Sequence, residues 1–163
     1  MISKKNFKPL PSRVNTMCFG CSPDNPAGLH LEFFTDEESI YSWVKVPGHM
    51  CGWKDLVHGG IISTILDEVM GRSVIYKMKH FAMTKSMAVD FLKPVYVDTE
   101  LKAEGRVLEI KNEREVLAEG LLFNKAGVTC AKARGLFTFF KPGDRKKLGI
   151  KDDTADLLDW FRK

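Results

Sequence analysis

Val57–Glu68, VHGGIISTILDE, sets a His-Gly-Gly turn directly before an apolar helix that carries an acid, and the fold is read outward from it. Gly59 and Gly60 let the backbone turn tightly and approach a ligand closely. The first amides of a helix have no intrahelical acceptor, so they can hold an oxyanion. The pattern therefore suggests a site for carbonyl chemistry.

Periodicity predicts a helix from about Gly60 to about Lys79, with Ile61, Ile62, Ile65, Leu66, Val69, Met70, Val74, Ile75 and Met78 covering so much of its circumference that it must be enclosed on several sides. One stripe differs. Gly60, Thr64, Asp67 and Gly71 recur at i, i+4, i+7 and i+11 and make a face of small or polar side chains. An acid there is costly unless it has a partner or a chemical role, and Asp67 either hydrogen-bonds a neighbour or takes part in a reaction. At 1.5 Å per residue its backbone lies roughly 10 Å along the axis from Gly60, beyond the reach of a short carboxylate toward a carbonyl held by its own turn. If both groups act on one substrate they come from different chains, with two such helices antiparallel along the smooth stripe and two symmetry-related sites per dimer.

The 163 residues, 44% hydrophobic and 28% charged, fit one domain with a sizeable core. The N-terminal MISKKNFKPLPSR has no apolar segment after its basic residues, and no stretch approaches a membrane span, so a cytoplasmic protein is expected. The net charge of +4 gathers at Lys4, Lys5, Lys8 and Arg13 and at Lys141, Arg145, Lys146 and Lys147. These clusters either steer a nucleotide-bearing substrate such as coenzyme A or are solvated ends. Neither a helix-turn-helix nor an aromatic-basic motif is present, so no nucleic-acid partner is expected. Cys18 and Cys21 form C-x-x-C without the second pair of a zinc ribbon; His49 and Cys51 would complete a Cys3His set, but their one-residue separation is unusual. Reduced thiols packing in a loop are expected, with no metal and no separate cofactor.

Turn residues Pro23, Asp24, Asn25, Pro26 and Gly28 precede a strand predicted to begin near Leu29, and Ile40 to Val46 reads as the next. After the helix come Ser86 to Leu92, Leu101 to Ile110, Glu113 to Phe123 and Val128 to Phe140, all β-like. Met87, Val89 and Phe91 alternate with smaller or polar neighbours, and Lys111-Asn112 and Lys125-Ala126-Gly127 are short enough for hairpins. The expected α+β architecture is a curved antiparallel sheet wrapped around one long central helix, with Ala131, Ala133 and Gly135 giving the helix room. The expected divisions are an N-terminal extension with the C-x-x-C loop over 1–28, the main domain over 29–141, and a charged tail or short amphipathic helix over 142–163.

VHGGIISTILDE together with CFGCSPDNPAGLHL before it and AMTKSMAVDFLKPV after it resembles the hotdog-fold acyl-CoA thioesterases of the PaaI type, from about Cys18 to Phe140. The most specific element is His58-Gly59-Gly60 with an acid nine positions after the His, supported by Thr84 and the FLKPV strand end. The resemblance implies that the Gly59 or Gly60 amide polarises the thioester carbonyl and that Asp67 of the partner subunit is general base or nucleophile. It implies that Thr84 lies near the water and that His58 shapes the turn or touches the thioester. Glu68, about 100° round the helix from Asp67, is not the expected acid.

On this reading acyl-CoA enters between the subunits of a homodimer, which in this fold commonly pairs again into a tetramer. Trp53, Met70 and Phe81 are candidates to line the acyl chain, and Lys93, Arg106, Lys111 and Arg114 to hold phosphates, against the alternatives of core aromatics and exposed surface charge. Two rival functions use the same scaffold: a carrier or sensor that binds acyl-CoA without turnover, and a dehydratase or hydratase with a differently spaced His and acid.

Overall fold

Helix α1, Gly59–Met78, is the centre of the molecule. It begins at His58, which has extended backbone angles (φ −59°, ψ 137°), and ends where Lys79 turns left-handed at φ 56° and its N–H bonds the Ile75 carbonyl. The computed structural model describes residues 4–140 together with Gly143, Asp144 and Gly149. Lys141 and the rest of the expected C-terminal tail or helix over 142–163, with Arg145, Lys146 and Lys147, lie outside the described residues.

Seven antiparallel strands form the sheet: β1 (Lys8–Pro9), β2 (Phe34–Thr35), β3 (Ile40–Lys45), β6 (Ala82–Phe91), β7 (Glu100–Ile110), β8 (Glu115–Asn124) and β9 (Thr129–Phe139), in the order β1-β2-β3-β7-β8-β9-β6. A small second sheet pairs β4 (Cys51–Trp53) with β5 (Leu56–Val57) just before the helix. The two hairpins expected from the short connections join β7 to β8 and β8 to β9, the second closed by Gly127 at φ +79°. Strand β6 instead crosses to the far edge beside β9, because the helix carries the chain over the sheet before β6 begins.

The strand expected from Leu29 is shorter than its pattern. Leu29, Leu31 and Phe33 are buried at 8%, 3% and 3% exposure, so the alternation is real. The backbone of Leu29 and Leu31 bonds the C-x-x-C loop instead of a ladder, with Leu29 N–H to Phe19 O at 2.8 Å and Leu31 N–H to Gly20 O at 3.0 Å, and regular strand is confined to Phe34–Thr35. Period-two burial needs only an extended segment, not a paired one.

Buried Ile62, Ile65, Leu66, Val69, Met70 and Val74 press α1 onto the sheet, each large apolar side chain contributing roughly 1.5–3 kcal/mol. A line of small residues makes that approach possible: Gly105 pairs with Gly120, and Gly120 with Ala133. A Cβ on Gly105 would overlap the Val69 carbonyl, and one on Gly120 would stand 3.1 Å from Met70 Cγ. Gly135, expected to make room for the helix, lies against Met70, and Ala131 and Ala133 are buried beside it. Among the described residues no helix is long and apolar enough to cross a membrane.

Candidate functional site

The stripe of small and polar residues on α1 runs along the flank that edge strand β6 borders: Gly60 is exposed and Thr64, Asp67 and Gly71 are half-buried. Thr64 and Ser63 turn their hydroxyls back onto the Gly60 and Gly59 carbonyls, each at 2.9 Å, so neither competes for Asp67. Asp67 receives its hydrogen bond from Thr84, whose Oγ1 donates to Oδ1 at 2.6 Å. Strand β6 is bulged between Thr84 and Ser86, with Lys85 as the extra residue, and such a bulge re-aims neighbouring side chains. The structure thus brings together Asp67 and Thr84, 17 residues apart in sequence, within one chain.

Both line a cavity of about 350 Å³ whose apolar wall includes Ile75, Phe81, Met83 and Phe137 and whose polar wall includes Glu68 and Arg72. A separate groove of about 550 Å³ lies at the start of the helix, lined by His58, Gly60, Ile61 and Thr64 together with Phe19, His49, Met50 and Cys51. The two share no lining residue, in keeping with the axial separation expected between Gly60 and Asp67.

His58 caps the helix: its Nδ1 accepts the Gly60 N–H at 2.9 Å. That bond occupies one of the two candidate oxyanion donors. Among the described residues no acceptor is found for the Gly59 N–H, which leaves it as the donor at this turn. Phe91, at the end of β6, is the neighbour of Gly59, so the edge strand flanks α1 from Asp67 to its first turn.

The remaining candidates are dispersed. Phe81 lines the Asp67 cavity, while Trp53 stands 79% exposed on β4. Met70, expected as an acyl-chain contact, is instead fully buried between α1 and the sheet, because its position on the helix faces Gly120 and Gly135. Arg106 is paired with Glu119 at 2.7 Å, Lys111 with Glu109 at 2.7 Å and Arg114 with Asp144 at 3.9 Å; Lys93 is exposed. The Cys3His set is not assembled, since His49 and Cys51 border the His58 groove away from Cys18 and Cys21. Glu68 joins that cysteine pair in their place, a neighbour that spacing did not disclose because it lies 50 residues from Cys18. Burial raises the Glu68 carboxyl to about 7.

Residues 55–131 match the family model of the thioesterase superfamily. An uncharacterised protein of Schizosaccharomyces pombe is 29% identical over 93 residues, 54% of this chain and 53% of that one, so the chain spans about half the length of this relative. Among solved structures, the PaaI protein of E. coli, from its phenylacetic acid degradation operon, superposes with a TM-score of 0.62 at 17% identity, covering 69% of this chain and 81% of its own. A hypothetical thioesterase of Streptococcus pneumoniae, solved with coenzyme A, superposes with a TM-score of 0.59 at 18% identity, covering 64% and 80%.

Proposed function

We propose that this chain, whose residues 55–131 match the thioesterase superfamily model on a hotdog fold, hydrolyses an acyl-CoA thioester to the free acid and coenzyme A. The observation that carries the reading is the Asp67–Thr84 hydrogen bond of 2.6 Å between α1 and edge strand β6, at the wall of a cavity that suits an acyl group. Coenzyme A in the pneumococcal thioesterase supports the substrate class.

In this mechanism the Gly59 N–H donates to the carbonyl oxygen as negative charge develops there, one such donor being worth about 3 kcal/mol. Asp67 of the second subunit faces the carbonyl carbon. Thr84 holds Oδ1, which leaves Oδ2 to take a proton from water or to attack as nucleophile and form a mixed anhydride that water resolves. Phe81, Ile75 and Met83 shield the acyl chain, and the nucleotide stays at the surface. The separation of the glycine groove from the Asp67 cavity supports a site built across a homodimer. So does β6, which ends the sheet with an unpaired edge among the described residues and exposes Met83 and Phe91 beside the stripe.

Thiol release from a panel of acyl-CoAs by wild type and Asp67→Asn tests the proposal. Wild type frees thiol, and Asp67→Asn loses on the order of 10²–10⁴-fold in kcat while still binding. Tight binding of several acyl-CoAs without thiol release from any would make the protein a carrier. Unchanged turnover in Asp67→Asn would remove Asp67 from the chemistry.

A further inference from the structure

Cys18 and Cys21 take no part in the proposed hydrolysis, although Cys21 lines the Asp67 cavity, and the fold builds a defined environment around them. Their loop crosses the middle of α1, with Cys21 3% exposed and Cys18 half-buried. Cys21 Sγ donates to Cys18 Sγ at 3.3 Å, and Cys18 Sγ lies 3.5 Å from Glu68 Oε1. Arg72 Nη2 donates to Cys21 Sγ at 3.6 Å. This guanidinium is itself 4% exposed and stacks on the Phe33 ring at 4.5 Å; its Nη1 is buried with no partner among the described residues. At Gly20 the loop closes directly over the carboxylate, since a Cβ there would overlap Glu68.

The S–H that Cys21 donates to Cys18 favours the Cys18 thiolate, the form that reacts with disulfides, and the Arg72 guanidinium against Cys21 favours the thiolate that must form there in the second step. We propose that Cys18 and Cys21 form an oxidisable dithiol that reacts with low-molecular-weight disulfides and closes to an intramolecular disulfide. The Cys18 thiolate attacks one sulfur of the small disulfide, forming a mixed disulfide and expelling one small thiolate, which takes a proton from solvent. Cys21 then gives up its proton to Glu68, whose carboxylate lies within 4.8 Å of both sulfurs, and attacks the Cys18 sulfur. The second small thiolate leaves, so two protein thiols are oxidised and one small disulfide is reduced to two thiols. A movement of roughly 1 Å brings the sulfurs to the bonding length of about 2.05 Å.

The electrostatics divide the two roles in the required way. The hydrogen bond from the Cys21 thiol, with those from the Cys21 and Gly20 backbone, holds the Cys18 thiol well below the usual thiol range, while donating that bond and being buried push Cys21 up. Cys18 is therefore the attacking sulfur and Cys21 the resolving one. A metal ion fits the cluster less well, because it finds only three donor atoms among the described residues and would sit beside the Arg72 guanidinium.

The experiment treats reduced full-length protein with glutathione disulfide and reads thiols and peptide masses, with no assay of hydrolysis, so its outcome is independent of the proposed activity. Two of the four thiols disappear and a Cys18–Cys21 disulfide is found by mapping. Cys21→Ser stops at a glutathione adduct on Cys18, and Cys51→Ser, at an exposed thiol, leaves the two-thiol loss unchanged. Alkylation of Cys18 in wild type proceeds at a rate that stays flat with pH where an ordinary thiol would titrate. Retention of both thiols while Cys51 takes up glutathione would overturn the proposal. So would stoichiometric zinc bound to the isolated protein that blocks oxidation.

Discussion

The single hydrogen bond from the Gly60 N–H to His58 Nδ1 decides which amide is left for a ligand. Gly59 is the first helical residue, a position where proline is accepted because its missing N–H bonds nothing within the helix. His58 already has the ψ of 137° that a residue before proline requires. Gly59→Pro should therefore delete one donor and little else: thermal melting stays near wild type while kcat falls about 10²–10³-fold. Full activity in the folded variant would remove this amide from the mechanism. Glu68 gives a prediction of opposite character. Burial raises its carboxyl from 4.5 to about 7, so its contribution to stability is present below 4.5 and is lost as pH rises through 7. Glu68→Gln should be increasingly stabilised relative to wild type across that window, by an amount on the order of 2–3 kcal/mol at its largest. Urea unfolding at several pH values measures it, and a pH-independent difference would contradict the assignment.

Helix and sheet meet through absent side chains. Gly105 has the Val69 carbonyl where its Cβ would go, so Gly105→Ala must lift α1 from β7, at a cost of about 1–3 kcal/mol or more. Gly127→Ala meets open space and costs only the left-handed conformation of its turn, about 1 kcal/mol. Denaturant midpoints of the two variants should rank in that order, and the reverse ranking would mean that the helix seat is soft. The helix, the four long strands and the two hairpins are legible in the sequence because each is dictated by local periodicity or turn length, although β6 begins at Ala82, four residues before the expected Ser86. The Leu29 segment reads as strand from the same alternation, but its hydrogen bonds go to the Phe19–Gly20 loop, a partner that no local pattern specifies. The bulge at Lys85 is invisible for a related reason: it is a mismatch in register between β6 and β9, a property of a pair of strands.

At the scale of the assembly, the groove at the glycine turn and the cavity at Asp67 belong to one helix but not to one pocket. If the site is shared between subunits, mixing Asp67→Asn chains with Gly59→Pro chains rebuilds one complete site per heterodimer from the unaltered halves. Thiol release should return in the mixture although each parent is inactive. A stable heterodimer without recovery would assign each site to a single chain.

The sequence alone determined the helix, its polar stripe and the antiparallel strands, because spacing along the chain fixes which side chains share a face. Tertiary structure decided the placement of β6 at the sheet edge, the bond from Thr84 to Asp67, the burial of Met70 and the union of Cys18, Cys21, Glu68 and Arg72. Each of these joins residues far apart in sequence, and distant groups meet only when burial and hydrogen bonding have been satisfied across the whole core.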